Sequence, residues 1–345
     1  MAIDCGLPDY LVSYIMAKKY KLAVVGPIPR DHITTHRGDV IEKYGCITHP
    51  TIGVAQLLNG EGTVYPISHV RKMDMPPIRE IFSKYPAIDM SGVRDDSDTG
   101  DIIKLRFLDQ NFREEKQTAF MLPIMPADVE PFLDCDAFIF VPITDHEIAL
   151  ETLNYIKKNS KGLIIFDGHG PTHTMTISGH RHKKFWVERD QWLPYIDVLK
   201  MNLEESWCTW FRHEYEEHEL TGNLEEIGQD HLRPMADYIL DKGPRALIIT
   251  TDATGCKVYT KKNGELIEEF IPSIFMENVV DTTGCGDSFA GGLGYGLKDG
   301  KDNFAVAAMY ANALGAQRTQ GTNFEVFKNL NETEALMQLH YPNFK

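Results

Sequence analysis

Two short unbroken apolar runs, Ala137-Phe138-Ile139-Phe140-Val141 and Leu163-Ile164-Ile165-Phe166, are separated by a segment in which Ile148, Leu153 and Ile156 recur at helical spacing. Strands apolar on both faces must be covered on both, and helical crossovers between parallel strands achieve this. The pattern predicts an α/β fold with a doubly wound, mostly parallel central sheet flanked by helices. Residues 21–26 and 246–250 extend the series, the latter after a helix over 231–241 closed by Gly243-Pro244. Strand then helix also fits 62–70 followed by 76–84, with a short strand at 88–93, whereas 102–108 and 117–122 alternate as a hairpin does.

At 345 residues there is material for one large α/β domain. The 35 basic against 50 acidic residues give a formal charge of −15, which argues against a nucleic-acid or anionic-membrane partner and for a soluble enzyme. The six cysteines, at 5, 46, 135, 208, 256 and 285, form no C-x-x-C pair and no zinc spacing, so a reducing cytoplasmic setting is expected. The start lacks a basic leader region and the apolar run at 11–17 is short, so neither export nor membrane insertion is expected. Leu11 and Ile15 give 7–19 the spacing of a helix. The histidines at 169, 173, 180 and 182 lack an i, i+4 pair and an acid at ligand spacing, and read as solvated loop side chains. Residues 207–220 interleave aromatic, histidine and glutamate side chains and read as an amphipathic helix or packed loop.

The chemistry concentrates at Asp281-Thr282-Thr283-Gly284-Cys285-Gly286-Asp287-Ser288-Phe289-Ala290-Gly291-Gly292. An extended-looking run over 270–280 precedes it, and Phe289, Leu293 and Leu297 have helical spacing that stops at Asp299-Gly300. Glycines 284 and 286 let the backbone approach a ligand closely, while N–H groups of the first helical turn point outward unpaired. Such a terminus suits a phosphate, and Asp287 beside it is positioned to take a proton from an attacking hydroxyl. Cys285, at the same terminus, is expected to have a lowered thiol pKa. As a motif, D-T-T-G-C-G-D-S-F resembles the C-terminal signature of the ribokinase-like, or PfkB, carbohydrate and nucleoside kinases, D-T-x-G-A-G-D. The resemblance implies that Gly284, Cys285 and Gly286 bind the transferring phosphoryl group and that Asp287 is the catalytic base. No Walker A motif is present, in keeping with a family that holds phosphate on this turn.

Other segments follow in the family's order. Gly26-Pro27-Ile28-Pro29-Arg30-Asp31 is similar to its G-x-I-x-x-D, which implies that Asp31 accepts hydrogen bonds from substrate hydroxyls. Tyr44-Gly45-Cys46-Ile47-Thr48-His49-Pro50 stands where the family has a Gly-Gly element, implying substrate roles for Gly45, Cys46 and His49. The family's small β-sheet lid would come from segments at about 34–48 and 102–122, with 1–20 a helical extension ahead of a kinase domain over 21–345. Asp167-Gly168-His169-Gly170-Pro171 keeps the aspartate of the family's F-D-x-N-x-R without its arginine.

Asn202-Leu203-Glu204-Glu205 matches the family's N-x-x-E, and three-residue spacing at a helix start puts Asn202 and Glu205 on one face. The resemblance implies that they hold waters of a Mg2+ shell, and a capping box is the structural reading of the same spacing. Thr250-Thr251-Asp252-Ala253-Thr254-Gly255 resembles T-x-G-x-x-G, which makes Thr250, Asp252 and Gly255 nucleotide-binding candidates. Asp252 replaces a glycine there, and a carboxylate repels phosphate unless it turns away or meets a cation. Ala311 and Asn312, in a helix over 304–315, and Gly321 beyond it are implied neighbours of the adenine, near carbonyls that in the family hold K+.

These readings converge on an ATP- and Mg2+-dependent phosphotransferase acting on a hydroxyl, a CH2OH of a sugar. A nucleoside kinase is the alternative within the class. Outside it stands a nucleotide- or sugar-binding regulator without catalysis, favoured by the missing glycines at 46 and 252 and opposed by the intact Asp287. The expected partner is a small sugar or nucleoside, and an exposed lid sheet would offer a homodimer surface.

Overall fold

The computed structural model describes residues 19–35, 37–108, 113–211, 228–342 and 344. The helix expected ahead of the first strand lies outside the described residues, as does the aromatic stretch after Phe211. The first half of the chain carries β1 (Tyr20–Val25), β2 (Arg30–Thr34), β3 (Val40–Tyr44), β4 (Gly62–His69), β5 (Val93–Arg94), β6 (Ile102–Phe107), β7 (Arg113–Ala119) and β8 (Ala137–Phe140). The second half carries β9 (Leu163–Asp167), β10 (His173–Met175), β11 (Arg181–Lys183), β12 (Val198–Asn202), β13 (Ala246–Thr250), β14 (Gly255–Lys262) and β15 (Glu265–Pro272). The longer helices are α1 (Thr48–Leu58), α2 (Met75–Phe82), α3 (Leu150–Asn159), α4 (Leu203–Thr209), α5 (Leu232–Lys242), α6 (Cys285–Gly296), α7 (Phe304–Arg318) and α8 (Leu330–His340).

The central sheet has the order β15-β14-β13-β12-β9-β8-β1-β4-β5 and is parallel from β13 to β5. Ile139 pairs with Val24 on one side and Ile165 on the other. Because successive residues alternate faces, Ile139, Ile165, Val198 and Ile248 enter one buried layer with α1, α6 and α7, whereas Phe140, Phe166, Leu199 and Leu247 enter the other with α3 and α5. Both faces are covered, which is why the runs contain no polar alternation. The antiparallel β14–β15 hairpin turns at Asn263 and Gly264, whose φ angles of +54° and +82° suit a tight two-residue turn.

A separate four-stranded sheet, β3-β2-β6-β7, forms the lid. It includes 30–34, so Asp31 rides on the lid itself. Asp74, buried ahead of α2, anchors the lid to the core by accepting from the Tyr44 hydroxyl at 2.9 Å, with Arg30 3.6 Å away.

Three local expectations differ from the structure. β15 ends at Pro272, and Val279 and Val280 are exposed, so 270–280 is no continuous strand. Residues 90–92 form a single helical turn before the two-residue β5. The histidine-rich loop contains the β10–β11 hairpin, hidden from a periodicity reading by its three-residue strands.

α6 lies directly against α7. A Cβ at Gly292 would come within 2.5 Å of the Ala311 Cα, and one at Gly296 within 2.5 Å of the Ala307 Cα. Glycine on one helix and alanine on the other permit this backbone approach. The C-terminal ends of β9, β12 and β13 deliver Asp167, Asn202 and Thr250 to one edge of the sheet, where open α/β sheets bind ligands.

Candidate active site

Gly284 is the residue before α6 and has φ +84°, the left-handed region that favours glycine. A Cβ there would lie 2.4 Å from the His49 ring, so the imidazole forms the floor of the turn. His49 is 1 % exposed and stacks at a tilt on Phe324 with centroids 5.2 Å apart. Burial first, then the neighbouring Arg318 and Lys43 charges, hold it well below the usual histidine range and therefore neutral. The expected substrate role of His49 is corrected to support of the turn.

Above this floor the first turn of α6 opens. The Cys285 N–H donates to the Thr282 carbonyl at 3.2 Å, whereas the Gly286 and Asp287 N–H groups have no main-chain partner among the described residues. Of the expected set, only Cys285 has its N–H paired within the main chain; Gly284, like Gly286 and Asp287, has no main-chain partner for its N–H among the described residues. Cys285 is also corrected in its chemistry: burial pushes its thiol up to about 12, outweighing the pull of Arg318. It is a half-buried thiol.

Asp287 is partly buried, and burial followed by the Asp167 charge pushes its carboxyl up to about 6 against the pull of Lys200. Lys200 is the residue that sequence reasoning missed. Lys200 is 4 % exposed, and its ammonium donates to Asp167 Oδ2 at 2.8 Å and stands 3.3 Å from where a Gly286 Cβ would be. Burial works against its charge, but Asp167 and Glu205 more than offset it and hold the pKa above the ordinary lysine value. The signal was present as a lysine in the apolar strand Val198-Leu199-Lys200-Met201, since a charge in a doubly covered strand has to be paired or used.

At the end of β12, Asn202 and Glu205 form a reciprocal cap. Asn202 Oδ1 accepts the Glu205 N–H at 2.8 Å, and the Glu205 carboxylate accepts the Asn202 N–H at 2.8 Å and its side-chain amide at 3.0 Å. Glu205 Oε1 also receives His169 Nδ1 at 2.9 Å, and Arg181 donates to His169 Nε2 at 2.8 Å. His169 is therefore not a free loop side chain: both ring nitrogens are hydrogen-bonded, and it stacks on His173 with centroids 4.0 Å apart. An arginine is brought to the Asp167 loop after all, from β11.

The opposite wall is the lid. Asp31, 5 % exposed, faces Gly45, where a Cβ would lie 2.5 Å from Asp31 Oδ2. Burial pushes Asp31 up to about 7, Lys43 works against this, and the Asp287 charge adds to it. Cys46 adopts φ +47° in the place of the second glycine, with its thiol donating to the Val141 carbonyl at 3.2 Å, so its side chain is committed to the interior. Lys43 lies opposite Asp31 in the β2–β3 pairing and reaches Asp281 at 3.2 Å. The fully buried Arg318 donates to the same Asp281 oxygen at 2.9 Å. Burial alone would raise Asp281, but Lys43, the Thr283 N–H and Arg318 hold it at about 2.

Of the nucleotide candidates, Asp252 keeps the conformation of the glycine it replaces, φ +51°, and is exposed, so its carboxylate turns to solvent. Gly255, φ +137°, opens β14 against β15, with a Cβ 2.2 Å from the Ile271 carbonyl oxygen, and Thr250 ends β13. Ala311 is corrected: it is fully buried against Gly292 and faces no cleft. Asn312 points inward as well, donating to the Pro272 carbonyl at 2.9 Å and the Tyr341 hydroxyl at 3.1 Å. The Gly321 carbonyl accepts from Arg318.

The pfkB family carbohydrate kinase model matches residues 140–325, more than half of the chain. The ribokinase of Staphylococcus aureus (strain COL) is 28 % identical over 104 residues, 30 % of this chain, and the match spans about a third, 33 %, of that protein's length. Among solved structures, a nucleoside kinase from Burkholderia thailandensis in complex with inosine superposes with a TM-score of 0.66 at 19 % identity, covering 94 % of this chain and 100 % of that one. A ribokinase from Giardia lamblia gives 0.69 at 12 % identity over 93 % and 99 %. A pyrophosphate-dependent kinase in the ribokinase family gives 0.66 at 18 % identity over 88 % and 98 %. These structural likenesses establish a ribokinase-like fold, α/β with a small lid sheet. No helix among the described residues is long and apolar enough to cross a membrane. Over the stretch that carries Asp167, Lys200, Glu205 and Asp287, this chain belongs to the pfkB family of carbohydrate kinases.

Proposed function

We propose that the protein is an ATP- and Mg2+-dependent kinase that phosphorylates a hydroxyl, a CH2OH group of a sugar. The observation that carries this reading is the joining of the lid to the α6 turn, where Lys43, opposite Asp31 on the lid, reaches Asp281 at 3.2 Å, and the Gly286 and Asp287 N–H groups have no main-chain partner among the described residues. Asp31 orients the acceptor by accepting from its hydroxyls. Asp287, raised to about 6, is ionised near neutral pH yet basic enough to take the hydroxyl proton as the oxygen attacks. The Gly286 and Asp287 N–H groups and the Lys200 ammonium face the place where charge spreads over the transferring phosphoryl oxygens.

Three carboxylates, Asp167, Glu205 and Asp287, face the single ammonium of Lys200, a surplus of negative charge that suits a divalent cation. Glu205, held by Asn202, would be the group towards it. Mg2+, when bound, neutralises phosphate charge and bridges phosphate oxygens. Cytoplasmic location and a lid-to-lid homodimer belong to the same proposal; the edge strand β3, whose outer side pairs with no strand among the described residues, leaves Val40 70 % and Ile41 43 % exposed.

The test is ADP release with Mg·ATP across sugars, sugar phosphates, polyols and nucleosides, with Asp287→Asn as control and pyrophosphate as a second donor. Turnover on one acceptor class, lost in the control, supports the reading; nucleoside turnover alone transfers it to the nucleoside kinase. ATP binding without any turnover sinks it in favour of a regulator.

A further inference from the structure

The β10–β11 hairpin has no part in the chemistry above. It leaves the core after β9, and its tip docks on the lid: the Gln117 N–H of β7 donates to the Gly179 carbonyl at 2.9 Å, and Lys116 and His180 form an antiparallel bridge. Gly179 has φ +82°, and a Cβ there would lie 2.3 Å from the Gln117 carbonyl oxygen, so the docking depends on glycine. On the return strand, Arg181 donates to Glu115 Oε2 of the lid at 2.7 Å, to the Ile143 carbonyl of the core at 3.2 Å, and to His169 Nε2 at 2.8 Å. A guanidinium only donates and an ionised carboxylate only accepts. Neutral His169 must then carry its proton on Nδ1 and donate it to Glu205 Oε1, 2.9 Å away.

A continuous path of hydrogen bonds thus runs from Glu115 on the lid through Arg181 and His169 to Glu205. We propose that Arg181 and His169 are positioning residues through which docking of the lid fixes Glu205, and with it the affinity for Mg·ATP. The affinity part rests on the kinase reading; the path itself does not.

Two readouts on the full chain keep these apart. Hydrogen exchange without ligand reads the cap at 202–206, where Gly179→Ala and Glu115→Ala should speed exchange about threefold and His169→Ala about tenfold. His169→Asn, which keeps a donor towards Glu205, should fall back towards wild type. Gly264→Ala, at the same φ of +82° with open space around its Cβ, should leave 202–206 unchanged. Calorimetry should then show the Kd for Mg·ATP raised about three- to tenfold in the same order, with the differences gone in EDTA. Unchanged exchange in both Gly179→Ala and His169→Ala overturns the path. Altered exchange with an unaltered Kd overturns the positioning role. A wild-type protein that binds no Mg·ATP overturns the donor reading and the affinity part with it, while the exchange measurement still decides the path.

Discussion

The two walls of the cleft are made of different material. The α6 wall presents main chain, with Gly284 over the His49 ring and N–H groups pointing outward, whereas the lid wall presents side chains, Asp31 and Lys43, on paired strands. A backbone site tolerates few letters, because an added Cβ collides or the φ is wrong. A strand accepts nearly any side chain that points into the cleft without disturbing its ladder. In the proposed function, the first wall holds one invariant group, phosphate, and the second is the one that can be refitted to different acceptors.

The largest effect should come from the one side chain the backbone wall contributes. Asp287→Asn keeps the turn and removes the base, so kcat should fall by about a thousandfold with ATP affinity within about tenfold. Retention of a tenth of the activity would refute its role. Gly284→Ala should come next: with φ +84° and the His49 ring 2.4 Å from the new Cβ, the turn must shift, and we expect about a hundredfold loss of kcat together with a lower Tm. A soluble Gly284→Ala protein with wild-type rate would show that the turn is not the rigid wall described.

On the lid, Asp31→Asn should raise KM for the acceptor about tenfold or more while leaving Mg·ATP binding alone, and an equal effect on both ligands would blur the division of labour between the walls. The pH dependence crosses both. Because the base must be ionised, kcat/KM should rise with pH through about 6, the value to which burial lifts Asp287. Stability runs the other way. Asp287 and Asp31, at about 6 and 7, lie above the range of unfolded carboxyls, so the folded protein keeps protons that the unfolded chain releases. The stability they contribute below the unfolded range is lost as pH rises through 6 and 7. Asp287→Asn should therefore melt higher than wild type at pH 8, by about 2 °C or more, with the difference vanishing near pH 4. The smallest effect is expected from Lys43→Met, which removes one lid contact to an Asp281 still held by Arg318; a two- to threefold rise in acceptor KM is of the order such a partly exposed pair provides.

The same contrast explains what could be read in advance. The turn at 284–287 was legible because its geometry dictates glycines, and the parallel sheet because double coverage dictates unbroken apolar runs. Cys46 and Asp252 looked like departures from the family pattern, yet both adopt positive φ, so the conformation survived the loss of the letter. His49 was read as a ligand contact because its burial depends on how α1 meets α6, a long-range fact no local pattern carries. The link from Arg181 to His169 was equally hidden, because spacing says nothing about a hairpin that returns to the loop it left.

The contact between α6 and α7 has a mechanical consequence. With glycine against alanine at Gly292 and Gly296, neither helix can slide or roll without driving main chain into main chain. The turn proposed to hold phosphate is thereby mounted on a fixed bed, and under the same proposal the accommodation of acceptors of different size falls to the lid. In evolutionary terms, substitutions that retune the proposed acceptor site can accumulate on four strands while the turn proposed to move the phosphoryl group stays untouched.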